Sequence, residues 1–578
     1  MNAALLLKHF DRLAEAPDAV PRLRRFILDL AVRGKLVEQN PDHEPASELL
    51  KRIEAEKARL VKAGEIRKSK NSGAVGLDEQ PHRLPDNWCW TRIRHIAVPR
   101  EQTVPEQAFS YIDVGSIDKE RGRVSEAKIL RPDEAPSRAR KIVRTGDVIY
   151  SCVRPYLLNV AVIDEELDPL PIASTAFAVL NGLGFVLPRY QWIVLRSPYM
   201  VALVEGKMRG QAYPAINDTD FARLVFPLPP LAEQHRIVAK VDELMALCDR
   251  LEAAQAERET RRERLTAASL HRLRPTTDEN PSRPNLSDLN FHLSHLRQTT
   301  THPDHLAALR EAIKEFAVRG ALVQTAEDDE SADDLLERIS PERRRLSAQS
   351  GSRHVPYEPI ATGPFSLPSR WRWVRFGDLI YASDAGWSPR TETFPRSANQ
   401  WGVLKVSAVS WDEFRPEENK QLLPDAQPRE AARVRNGDFL ISRANTSDLV
   451  AKAVVVEGEH TNLMLSDKIV RLHIVDLCDR RFLMLVNNSA RYARAYYAAQ
   501  ATGTSASMQN VSRSTIYNLP LPLPPLAEQR RIVEKVDELM AVCDRLEDSL
   551  RTGRETSRRL LEAVLRDALQ PALEEVAA

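Results

Sequence analysis

The chain has 578 residues, and its 82 Lys and Arg almost cancel 81 Asp and Glu, leaving a net charge of +1. With 43% hydrophobic residues it can build packed cores, which excludes a wholly disordered polymer, and no apolar run approaches the ~18–20 residues that cross a bilayer. The short apolar stretch at residues 3–7 has no basic residue before it, so no secretory signal is expected. Cys89, Cys152, Cys248, Cys478 and Cys543 stand far apart without a CxxC pair. Neither a disulfide framework nor a zinc site is expected, and reduced thiols suit a cytoplasmic protein.

Taken in chain order, residues 24–37 and 46–63 have the spacing of amphipathic helices, followed by a polar linker at 64–83. The next segment, to residue 230, carries short β-rich runs at 111–117, 147–153 and 193–196. From about 231 to 273 a long charged helix is predicted, roughly 60–65 Å at 1.5 Å per residue. Ile237, Val241, Leu244, Cys248 and Leu251 step along it in the narrow seam of a coiled coil. Residues 274–304 are rich in Pro, Ser, Thr, Asn and Asp and read as a central linker. The order then recurs: helices at 309–323 and 331–346, a linker at 348–366, and strands at 403–409, 438–443, 453–458 and 469–475. A second long helix closes the series, with Ile532, Val536, Leu539, Cys543, Leu546 and Leu550 in its seam.

This recurrence is a true repeat. Residues 227–252 and 522–547 are identical at 23 of 26 positions. AVRGKLV (31–37) returns as AVRGALV (317–323), LPDNWCW (84–90) as LPSRWRW (367–373), and TGDVIYS (145–151) as NGDFLIS (436–442). Two matched frames therefore surround two divergent inserts, a pattern that suits one task performed on two different targets. The fold class expected is α+β: two mixed, strand-rich domains separated by long antiparallel coiled-coil-type helices. The segments are 1–83 (helical region and linker), 84–230 (first domain), 231–365 (helical spacer with linker), 366–525 (second domain) and 526–578 (spacer helix).

The sequence has no phosphate-binding loop, no dinucleotide fingerprint, no HExxH, no GxSxG and no Asn/Asp-Pro-Pro-aromatic methylation signature. No catalytic or metal-ligating residue is assigned. Charge is unevenly placed, however. Residues 480–527 contain no Asp or Glu, while Arg480, Arg481, Arg491, Arg494 and Arg513 alternate with Tyr492, Tyr496, Tyr497 and Tyr517. Residues 121–144 carry a net charge of +5. Arginine among amides and hydroxyls suits phosphate contacts and hydrogen bonds to base edges; the alternative is a fold whose acids simply lie elsewhere.

The duplicated PLPPLAEQxRIVxKVDELM block, the segment AVRGKLVEQNPDHEPASELLKRIEAEKARL (31–60) and the GDVxxS-type motifs at 146–151 and 437–442 resemble the specificity subunit (HsdS) of type I restriction-modification systems, over essentially the whole chain. The resemblance implies a non-catalytic subunit whose two inserts are target recognition domains, each reading one half of a split sequence in double-stranded DNA. Its implied partners are adenine-N6 methyltransferase subunits, expected in two copies, and restriction/translocase subunits. S-adenosylmethionine, ATP and Mg²⁺ would belong to those partners, none to this chain, and no membrane is involved. The DNA-contact candidates in the first domain are Arg154 and Tyr156, after the GDV strand, with Lys207, Arg209, Gln211 and Tyr213. In the second they are Arg443 and Asn445, with Thr504, Ser505, Gln509 and Asn510. Two other readings compete: a coiled-coil scaffold with no DNA role, and a methyltransferase or nuclease in its own right.

Overall fold

The computed structural model describes residue 16 and residues 18–66, 73–210, 213–273, 284–353, 355–410, 412–505 and 508–569, without the side chains of 504, 505, 508 and 567–569. The chain forms two compact units. One comprises residues 1–257 with 553–578, the other residues 258–552. The long helices run Leu231–Arg272 and Leu526–Leu569, about 63 and 66 Å at 1.5 Å per residue. Each unit thus holds the start of one long helix and the end of the other.

In the first unit, helices Ala19–Val32 and Ala46–Lys62 precede the strand-rich region. That region opens with strand Cys89–Arg92 and closes with strand Val225–Leu228, and the two pair antiparallel, Cys89 opposite Leu228. Its first and last residues are thereby tied together before the long helix begins. Between them lie a five-stranded sheet, in the order Phe177–Leu180, Val148–Ser151, Val160–Val162, Arg123–Val124, Ile117–Asp118, and a four-stranded sheet, in the order Lys128–Leu130, Phe109–Ile112, Pro171–Ser174, Ala139–Ile142. Helix Pro188–Arg196 packs on this region with Tyr190, Trp192, Ile193, Val194 and Leu195 all buried. The run at 193–196, expected as a strand, is its last turn. A short apolar run does not distinguish strand from buried helix, and Pro188 sets the helical φ at its first position.

The second unit repeats the device with different contents. Strand Arg372–Arg375 pairs antiparallel with Pro520–Leu523. Inside that clasp lie a four-stranded sheet (Ile380–Ala385, Ile469–Ile474, Phe439–Ser442, Ala453–Val455) and two three-stranded sheets. The run at 403–409 splits into strand Gly402–Leu404 and a 3-10 turn, Val406–Val409. The expected central linker also holds structure. Helix Leu286–Ser294 is capped by Asn285, whose side chain accepts from the Ser287 N–H, and it buries Leu289 and His292. Its leucines sit at helical spacing inside a polar composition, and composition had hidden them.

The repeated blocks converge on one junction in each unit. Helix Ala19–Val32 is followed at Gly34 by a left-handed turn (φ +66°), where a Cβ would lie 2.4 Å from Pro85. Gly320 (φ +65°) meets Pro368 at 2.7 Å and Trp371 at 2.9 Å in the same way, so no larger residue fits either place. Glu233, Gln234, Glu528 and Gln529 are fully buried at the starts of the long helices. Gln39 donates to Glu233 at 2.7 Å and Thr325 to Glu528 at 3.1 Å. Gln234 accepts from the Leu187 N–H and Gln529 from the Asp479 N–H, each at 2.9 Å, so both amides pin a helix of the strand-rich region to the long helix. These blocks repeat because they build the frame.

Candidate nucleic-acid interface

The GD motifs are structural. Gly146 and Gly437 take positive φ, +88° and +81°. Asp147, with no exposed surface, accepts the Arg144 N–H and a bidentate guanidinium from Arg100, the latter at 2.8–3.1 Å. Asp438 accepts the Arg435 N–H and Arg471 in turn. This fixes the turn that launches strands Val148–Ser151 and Phe439–Ser442, and their ends carry the candidate residues.

At the end of the first of these strands, Val153 bridges to Ala215, which pairs with Arg209 across a hairpin turned at Gly210 (φ +94°). The Ile216 N–H donates to the Cys152 carbonyl at 3.0 Å, and the Arg154 N–H to the Pro214 carbonyl at 2.8 Å. The strand end and residues 214–216, far apart in sequence, are therefore stitched side by side. The Arg154 guanidinium stacks 4.8 Å above the Tyr213 ring, a cation–π contact. Lys207, Arg209, Tyr213 and Tyr156 are all exposed, and Arg209 reaches Asp220 only at 3.6 Å. Gln211 lies outside the described residues.

The second unit makes the same juxtaposition as a small sheet. Strand Ala444–Asn445 pairs with Met508–Asn510, Ala444 opposite Asn510 and Asn445 opposite Gln509, and Met508–Asn510 pairs with Thr502–Ser505. Arg443 is exposed, and its backbone is held by the Lys468 carbonyl and the Val511 N–H. Asn445 is oriented from within: its amide donates to Ser410 at 2.8 Å and accepts the Thr446 N–H at 2.9 Å. One amide hydrogen and one lone pair remain outside these two bonds. Asn510 is exposed and Gln509 half-buried. The backbone of Thr504 and Ser505 forms the outer strand; their side chains lie outside the described set.

Tyrosines of the acid-free stretch are tied into the fold. Tyr497 is fully buried and donates to Asn487 at 2.7 Å, Tyr492 is buried against the Pro520 carbonyl, and Tyr517 donates to Ser383 at 2.6 Å. Arg480 and Arg481 pair with Asp476 and Asp537, acids that flank the window. Of that stretch the paired strands Thr502–Ser505 and Met508–Asn510 join the candidate surface.

Residues missed by motif reasoning sit beside both hairpins. The Cys152 N–H donates to the Ala176 carbonyl and the Thr175 N–H to the Arg138 carbonyl, which brings exposed Arg138 and Thr175 to the same end of the domain. The net-positive run at 121–144 was the signal for Arg138. Nothing in the sequence pointed to Ser410. Beneath the first hairpin, Lys141 is buried with its ammonium 2.6 Å from both Asp218 and the Phe177 carbonyl. Burial pushes the Cys152 thiol up to about 12, so it is an inert neighbour rather than a nucleophile. Among the described residues no group of His, Cys, Asp and Glu is arranged to hold a metal ion, and no helix is long and apolar enough to cross a membrane.

Comparison with known proteins shows the family of the chain. Residues 141–259 match the type I restriction modification DNA specificity domain. The chain is 34% identical over 564 residues to the specificity subunit of the type I restriction enzyme EcoEI of Escherichia coli, covering 95% of this chain and 94% of that one. It is 28% identical over 566 residues to the EcoAI specificity subunit, also of Escherichia coli, covering 94% and 93%. Among solved structures, the HsdS subunit from Thermoanaerobacter tengcongensis aligns over 86% of this chain and 100% of its own, with 25% identity and a TM-score of 0.45. The chain belongs to the specificity subunits of type I restriction enzymes, the DNA-recognition subunits of those systems.

Proposed function

We propose that each strand-rich domain reads one half of a bipartite DNA target, and that the chain directs adenine-N6 methylation or restriction carried out by partner subunits. The observation that carries this reading is the equivalence of the two surfaces. In both units a hairpin is stitched to the end of the strand launched by the GD turn, yet the side chains it presents differ: Arg154, Lys207, Arg209 and Tyr213 in one, Arg443, Asn445, Gln509 and Asn510 in the other. A like placement of hairpin against strand end with different hydrogen-bonding groups suits two readers of different base sequences, since bidentate Arg, Asn and Gln contacts distinguish base pairs in the major groove. Double-stranded DNA, two methyltransferase subunits and the restriction/translocase subunits are the partners in this reading. S-adenosylmethionine, ATP and Mg²⁺ are bound by those partners, and the complex works in the cytoplasm.

The test is to co-express the chain with its methyltransferase subunit and map modified adenines in host DNA. Two short specific blocks around a fixed gap are the expected result, and exchange of residues 366–525 changes one block only. A single continuous motif, or two blocks that change together, would overturn the two-reader reading.

A further inference from the structure

The two surfaces differ in the backbone that follows the strand launched by the GD turn. After Ser151 the first domain makes a single 3-10 turn, Pro155–Leu157, bracketed by two non-glycine residues in left-handed conformation, Arg154 (φ 47°) and Leu158 (φ 57°). Such residues persist only where their surroundings hold them. Here Pro155 is buried, the Leu157 N–H donates to the Arg154 carbonyl, and the Arg154 N–H donates to Pro214. The product of this bracing is outward display: Tyr156 and Leu157 are each 44% exposed, next to a Tyr213 that is 70% exposed. The equivalent stretch of the second domain is sheet, with Ala444 buried and Asn445 tied to Ser410.

Large apolar side chains held rigidly in water need a destination. Arg154 brackets the turn and lies over Tyr213, and Arg209 stands on the hairpin bonded to the strand end, its side chain 83% exposed although 3.6 Å from Asp220; both favour a polyanion. A base-pair step of duplex DNA supplies both, apolar base faces between two phosphate rows, and apolar side chains inserted at such a step unstack and kink it. We propose that the Tyr156–Leu157 turn is a wedge that opens a base step in the half-site of the first domain, while the second domain reads its half-site without one. The proposal rests on the two-reader function above and adds a division of labour to it: deformation on one side, direct reading on the other.

The experiment uses the full chain in complex with its methyltransferase subunit. The duplex carries the mapped target, with 2-aminopurine replacing, one at a time, each adenine of either strand that is not methylated. Domain exchange assigns the half-sites. In the first half-site one position brightens by about threefold or more on binding, as unstacking requires. Positions in the second half-site stay within about twofold of free duplex. At protein concentrations that saturate the duplex, the Y156A/L157A pair abolishes the rise, and Y156F keeps it. If the paired variant does not fold, Y156S alone serves, since it removes one exposed ring. A specifically binding complex in which no reporter brightens overturns the wedge and leaves the two-reader function standing. So does brightening that survives the paired variant, or equal brightening in both half-sites. A complex without sequence-specific binding overturns both.

Discussion

Asn510 and Arg209 occupy matched hairpins but offer different chemistry. Asn510 presents an exposed amide beside the fixed Asn445, so N510A is expected to relax discrimination at one base position by about 1–3 kcal/mol. Binding to duplexes varied at each position measures this, and an equal loss at all positions would count against it. Arg209, with its side chain 83% exposed, suits a phosphate. R209A should weaken binding to all sequences alike and reduce the slope of log K against log salt by about 1. Buried Glu528 makes a different prediction. Burial raises its pKa above the ordinary glutamate value, against the pull of the Trp371 and Thr325 side chains and Arg531. The folded chain therefore holds this proton more tightly than the unfolded chain does. The contribution is harmless below the unfolded value and destabilising once pH has risen through the folded value. Thermal melts from pH 4 to pH 8 should show E528Q losing less stability than the natural chain as pH rises; parallel curves would refute this.

At the scale of the element, the junction glycines can be ranked by what surrounds them. G320A must place a Cβ at φ +65° and within 3 Å of Pro368 and Trp371, whereas G351A meets φ +67° with nothing within 4 Å. Left-handed backbone alone costs roughly 1–2 kcal/mol, and overpacking adds about 1–3 kcal/mol. G320A is thus expected to be clearly the more destabilising of the two in urea unfolding. Equal effects would mean that the junction yields to the added methyl. The same junction explains why blocks about 200 residues apart recur together: helix end, Trp and buried Glu are parts of one packing unit.

Across the whole molecule, each long helix serves both units, and in the first unit this closes the structure. Leu561 and Val564 of the second long helix are buried with Ala16 and Ala19, and Arg22 pairs with Glu562 at 2.9 Å. Deleting residues 553–578 should speed amide exchange in the first turns of helix Ala19–Val32 by about tenfold or more, and leave Pro303–Val318 unchanged. Mass spectrometry of exchange in the assembled complex reads both segments in one experiment, and unchanged protection at Ala19 would show the tail to be dispensable.

Much of this was legible without coordinates. A repeat of 23 identical positions in 26, helical seams of period 3.5 and an LPxxWxW block are local or duplicated signals, and they marked the long helices and the divergent inserts between them. Arg209, Gln509 and Asn510, singled out in the sequence as contact candidates, lie on segments bonded to the strand ends. What the sequence determined was whatever depends on local periodicity or on comparing one half with the other. What only tertiary structure decided was which polar and aromatic groups face water. Tyr492, Tyr497 and Tyr517 read like a binding stripe and are spent on internal hydrogen bonds. Residues 193–196 read like a strand and are a buried helix, and Arg138 joins the surface only through Thr175. Burial and hydrogen-bond partnership are set by segments distant in the chain, so composition lists the groups available and the fold alone assigns them to core or surface.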